Sequence, residues 1–170
     1  MKRFIVALFL LLALPLSAQA ASGAKIGSID VQKVLLTSEA GKVAKEQLGQ
    51  RAGKYEGEKS SREAELKKLK GELESQSALL NETARSAKER DYQQRLKDYQ
   101  RFLKDAQEDL QSKNDEFTKQ LVDEIIKVAQ EYGRKNGYTA IFVKSEVLLY
   151  LDPAADLTEE VLKAFDAKKK

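Results

Sequence analysis

The side chains that could do chemistry in this chain of 170 residues are almost all simple charges: 27 carboxylates and 30 ammonium or guanidinium groups, with no His, Cys or Trp. The usual general base, thiol nucleophile and soft metal ligands are therefore missing. Catalysis would have to rest on paired carboxylates such as Glu63 with Glu65, or Glu108 with Asp109. Residues one or two apart on a helix point to different sides, so neither pair shares a site. The chemistry left is binding by charge and by apolar surface, and the expectation is a non-enzyme with no metal, no cofactor and no small-molecule substrate.

The charges are also mixed in sign. Residues 1–20, MKRFIVALFLLLALPLSAQA, hold Lys2 and Arg3 and no acid; without them the 30 cations fall by two to 28, against the same 27 acids. Interleaved charge of this kind suits solvated helix faces, and nucleic acid is not an expected partner. The same twenty residues have a basic start, an apolar run from Phe4 to Leu14 and the small-x-small triplet Ala18-Gln19-Ala20. They read as a signal peptide cut after Ala20, because the apolar run is far short of the roughly twenty residues that span a bilayer. An exported chain without cysteine has no disulfide to staple it, so packing or subunit assembly must hold it.

Most of the remainder reads as helix. From Glu39 to Arg134 there is no proline, and Lys, Glu, Gln, Leu, Arg and Ala dominate. Leu48, Ala52, Tyr55, Leu66, Leu69, Leu73 and Leu80 fall on one four-three track with Lys59, Arg62 and Gln76. A second track holds Tyr92, Leu96, Tyr99, Leu103, Ala106 and Leu110, then Phe117, Leu121, Ile125, Val128 and Tyr132. Between them, residues 81–87 suit a turn or a capped helix restart, and place a hairpin tip there. That tip would pair Leu73 with Tyr99, Leu69 with Leu103, Leu66 with Ala106, Arg62 with Leu110, Tyr55 with Phe117 and, as like charges, Lys59 with Lys113. One continuous helix in a long parallel coil is the alternative. Gly49, Gly53 and Gly57 share one stripe, for close packing of the return helix or for bending.

The two ends form a second unit. Residues 25–31 read as a strand; after Gly137, residues 139–143 and 147–151 read as two more, joined through Lys144-Ser145-Glu146. Asp156-Leu157-Thr158-Glu159 opens a closing helix with Val161, Leu162 and Phe165 on one face. Residues 141–143 and 147–151 are apolar on both faces, so one face is expected to meet the closing helix and arm base, with Val122 and Ile126 in the cover. The other face would meet a second subunit, a buried monomeric sheet being the alternative.

This order of parts, with Ile29-Asp30-Val31 before Gln32-Lys33-Val34-Leu35, then Lys135-Asn136-Gly137-Tyr138, and finally residues 147–153 leading to Asp156-Leu157-Thr158, resembles the Skp, or OmpH-like, family of periplasmic chaperones. The resemblance implies an α+β chain: an antiparallel coiled-coil arm on a small sheet body that pools into a trimeric β-barrel-like core. It implies residues 21–38 and 138–170 as the body and 39–137 as the arm, with Ile26, Ile29, Ile141, Val143, Leu149 and Leu151 in the trimer body. It further implies a homotrimer in the periplasm that holds unfolded outer-membrane proteins between its arms. Leu79, Leu80, Tyr92, Tyr99 and Phe102 are the candidate client contacts, with capping of the hairpin as the other role for Leu79 and Phe102. Arg85, Lys88, Arg90, Arg95, Lys97 and Arg101 make the outer arm basic, either as a surface for acidic clients, anionic lipid or lipopolysaccharide, or as an ordinary solvated face. A structural or adaptor hairpin of the envelope is the competing class; it would carry longer flanking β-domains.

Overall fold

The computed structural model describes residues 23–76 and 81–168; the expected signal peptide and Leu79 and Leu80 lie outside them. Strand β1 (Ile26–Ile29) leads into α1 (Val31–Thr37), α2 (Glu39–Gln76) and α3 (Glu82–Lys135); β2 (Ala140–Val143) and a single 3₁₀ turn (Pro153–Ala155) precede α4 (Thr158–Lys168). The chain is thus mostly helical with a small two-stranded sheet, in which β1 and β2 run parallel with Ile26 opposite Ala140 and Ile29 opposite Val143.

Local chemistry sets the boundaries. Ser38, extended at φ −64° and ψ 155°, breaks α1 from α2, and its hydroxyl accepts from Gly41 N at 3.1 Å. Asn81 caps α3 by accepting from Ala84 N at 2.9 Å. At the other end of α3, Gly137 takes φ +71° and Tyr138 N donates to the Gly133 carbonyl at 2.9 Å, the Schellman closure that only a residue at ease in the left-handed region permits.

The core lies where the arm meets the body. Ile29, Val34, Leu121, Ile125, Val128, Ala129, Leu157, Val161 and Phe165 are buried together, so the closing helix does present Val161 and Phe165 inward, with Leu162 partly buried beside them. Ile29, expected in the trimer body, lies within the chain's own core.

The structure differs from the sequence reading in five places. The helix break falls between Gln76 and Glu82, so residues 82–87, expected as the tip, are the first turn and a half of α3; of the two readings of 81–87, the capped restart is the one observed. The register moves with it: Glu72 meets Lys88, Glu65 meets Arg95, and Glu63 meets Tyr99. The return helix is displaced toward the base by about eleven residues, close to three turns, which keeps every side chain on its face while changing its partner. Lys59 consequently does not oppose Lys113; each pairs along its own helix, with Glu56 at 3.1 Å and Glu116 at 2.6 Å. Nothing lies within 4 Å of where a Cβ would sit on Gly49, Gly53 or Gly57, so the return helix does not pack on that stripe. Finally, residues 147–151 form no strand. Leu148 N donates to Ser145 O at 3.0 Å, a turn that consumes the start of the segment, and the remainder finds no strand edge within the chain.

Candidate functional site

Two surfaces of the chain could recognise something, and both follow from what the elements leave uncovered. The first is on the body. One edge of β1 pairs with β2; the other is taken by residues 156–157, through the Ser28–Asp156 bridge and the Leu157 N to Ser28 O bond of 2.8 Å. Asp156 is itself pinned: it accepts from the Thr158 hydroxyl at 2.5 Å and from Thr158 N at 3.0 Å, which holds its carboxyl below the ordinary range, with Lys144 at 3.5 Å adding to the effect. The free edge of the sheet is therefore that of β2. Beside it lies a cleft of ≈ 290 Å³ floored by Ile29, Ile126, Ala129 and Ile141 and rimmed by Phe142 and Val143. Next along the chain, Val147, Leu149 and Tyr150 are 87, 97 and 80% exposed. Of the expected body residues, Ile26 and Val143 are exposed, Ile141 and Leu151 are half-buried, and Leu149 stands free.

The second surface is the arm. No residue of α2 whose burial is described is fully buried, and between Glu82 and Asp105 the same holds for α3. Tyr92 and Tyr99 are half-buried on the seam, the Tyr99 hydroxyl donating to Glu63 at 2.5 Å, a bond that holds the phenol above its ordinary range. Phe102 is not an outward side chain: its ring meets Tyr55 edge-on at 6.0 Å, with the Arg62 guanidinium 4.6 Å from its centre, while the neighbouring Leu103, expected on the seam, is exposed. These rings line a cleft of ≈ 450 Å³ between the helices, together with Ala52, Ala106 and Leu110.

Among the six tip cations, Arg85 pairs with Glu89 at 3.1 Å, Lys88 with Glu72 at 2.9 Å and Arg95 with Glu65 at 3.2 Å. Arg90, Lys97 and Arg101 are exposed and have no ion pair among the described residues. The node that sequence reading missed is Asp109, which accepts from the Arg51 guanidinium (Nη2 at 2.7 Å) and from the Tyr55 hydroxyl at 2.9 Å, and is thereby held below the ordinary carboxylate range. Its signal was the coincidence of Arg51, Tyr55 and Asp109 on facing tracks, visible only in the correct register.

Comparison with known proteins identifies the family. The family model described as outer membrane protein (OmpH-like) matches residues 25–165. The chain belongs to the OmpH-like family. An uncharacterized protein of Aquifex aeolicus (strain VF5) is 33% identical over 138 residues, covering 81% of this chain and 83% of that protein. Among solved structures, an OmpH-like protein of Caulobacter crescentus CB15, described as an outer membrane chaperone, shares the fold with a TM-score of 0.80 over 85% of each chain, at 16% identity. The hairpin and body of this OmpH-like chain are thus a fold it shares with that solved structure.

Proposed function

We propose that this OmpH-like protein is a periplasmic holdase: a homotrimer that keeps unfolded outer-membrane β-barrel proteins from aggregating by holding them among its helical arms. In this reading residues 21–38 and 138–170 assemble and 39–137 capture. The observation that carries it is the contrast within one chain between a sealed core and a 38-residue helix in which no described side chain is fully buried. A helix of that length reaches roughly 57 Å at 1.5 Å per residue. Structure projected so far without a core of its own serves contact with something else. An unfolded barrel strand, with apolar residues alternating and no stable fold in water, needs such capacious and adaptable contact rather than a fitted pocket.

Assembly follows from the body. The open edge of β2, the apolar cleft beside it and the unpaired Val147–Leu151 segment, with Val147, Leu149 and Tyr150 exposed, supply a donor and an acceptor for strand pairing between copies, which would close the three bodies into a barrel-like core. Arg90, Lys97 and Arg101, which have no ion pair among the described residues, are the cations best placed to draw acidic clients or anionic lipid head groups toward the arms.

Light scattering of residues 21–170, alone and after mixing with an outer-membrane β-barrel protein diluted from urea, tests both parts. A three-subunit mass that gains one soluble client supports the holdase. A three-subunit mass beside precipitated client favours an adaptor or structural hairpin, and a monomer would overturn the account of the body.

A further inference from the structure

The arm's two helices are joined by an unusual set of links. Lys88 reaches Glu72 at 2.9 Å, Arg95 reaches Glu65 at 3.2 Å, Tyr99 reaches Glu63 at 2.5 Å, and Arg51 and Tyr55 converge on Asp109. Every acceptor in this ladder is a carboxylate. Its sense also reverses once: near the tip α2 supplies the acid, and at Asp109 α3 does. Sliding the helices by one turn would break all these pairs, so the ladder sets register. Each link is at least partly exposed, individually weak and screened by salt, so together the links hold the outer helices only loosely and salt loosens them further. Beneath the ladder the seam residues Leu66, Leu69, Leu73, Tyr92 and Leu96 are only half-buried.

We infer that the outer arm is an ionic zipper. Between the tip, where the chain joins them, and the Asp109 node its helices bow apart, and the seam so released is a binding surface for an extended, apolar-alternating segment of unfolded polypeptide. The client would thus lie between the two helices of one arm, against side chains that the closed hairpin half-covers, and not only in the space among arms. The charged ladder re-forms when the segment leaves, and restores the register without a search. This inference rests on the holdase reading for its occupant, though not for the parting itself.

The chain has no cysteine, so a pair can be introduced without interference. Glu65→Cys with Arg95→Cys, in the full mature chain, is joined by a short bismaleimide across the zipper; the unjoined variant is the control. Client retention, measured on an outer-membrane β-barrel protein diluted from urea, is expected to fall by about tenfold in the joined form, the scale of losing a principal apolar anchor. Equal retention by joined and unjoined arms would overturn the seam as the binding surface. Spin labels on the same two cysteines test the parting without any client. Their distance distribution is expected to broaden at about 1 M sodium chloride, where the screening length falls to about 3 Å, while a label pair at Lys45 and Lys119 beside the core stays narrow. An unchanged outer distribution would overturn the zipper. Should client be held by neither form while the labels still part, the holdase reading falls and the zipper stands.

Discussion

Where α3 passes α1 and α4, its Leu121, Ile125 and Val128 are buried; along the outer reach of the same helix, from Glu82 to Asp105, no side chain is. The helix is continuous, but its large aliphatics thicken from Leu96 and Leu103 in the outer reach to Leu121, Val122, Ile125, Ile126 and Val128 at the base, and what faces it changes too. At the base three other elements surround α3, and the C-terminal helix ties them together: Phe165 is 1% exposed, Asp166 accepts from Glu39 N at 3.0 Å at the start of α2, and Lys168 pairs with Glu131 at 2.8 Å. Further out only α2 is present. One neighbour can half-cover a seam but cannot seal it, and polar links take over the choice of register. Burial fixes the base, and charge aligns the arm.

The comparison breaks most sharply at the core. Phe165→Ala leaves a cavity among Ile125, Val128 and Val161 and is expected to cost about 3–5 kcal/mol, enough to unfold the body at modest urea concentrations. Leu69→Ala, at a half-buried arm position, removes fewer contacts and is expected to shift the urea midpoint far less. Equal shifts would mean that arm and body unfold as one cooperative unit.

Second in size is Leu149→Asp. Leu149 touches little within its own chain, being 97% exposed, so the fold of the single chain is expected to survive with an unchanged far-ultraviolet spectrum while the light-scattering mass falls to one subunit. A trimeric mass in this variant would place the subunit interface elsewhere.

A smaller effect is expected from acid. Asp109 and Glu72 are both held below their ordinary values of 3.8 and 4.5, chiefly by hydrogen bonds from Arg51 and Lys88 respectively. A carboxyl depressed in the folded state binds fewer protons there than in the unfolded chain. The links therefore contribute fully above about pH 5 and are lost as pH falls through the depressed values, below about pH 4. Asp156 in the body is depressed as well, chiefly by the Thr158 hydroxyl, so a global melt mixes the two regions. Hydrogen exchange resolved by residue is expected to show the arm amides around Glu72 and Asp109 loosening in acid while those of Ile125 and Val128 stay protected. Uniform loosening would erase the distinction between the regions.

What could be read from sequence divides along the same boundary. The core was legible because several periodicities converge on it: Val161 and Phe165 on α4 and Leu121, Ile125 and Val128 on α3 all face inward. The arm's faces were legible too, since Tyr55, Leu66, Leu69, Leu73 and their counterparts keep the heptad. Register was not. A slide of three turns returns each side chain to its own face, and only the charge pattern, Glu72 to Lys88 and Glu65 to Arg95, separates one slide from the next. Residues 147–151 misled for a different reason: their composition specifies a strand, but a strand needs an edge, and among the described residues these five pair with none.

The smallest effect sharpens the boundary within the arm. Lys59 lies at the cleft lined by Tyr55, Phe102, Leu103 and Ala106, and its ammonium turns back to Glu56 on its own helix. Its position is one where a coiled coil gains most from leucine. Lys59→Leu is therefore expected to extend the apolar contact with Phe102 and Ala106 and to narrow the spin-label distribution at Glu65 and Arg95, with no change at the base. Lys113→Leu, which has no like-charged partner across the arm to relieve, is expected to act separately and not in concert with it. If the double substitution stiffens the arm by more than the two singles together, the two lysines do interact across the helices, and the register of charged pairs on which the zipper depends is incorrect.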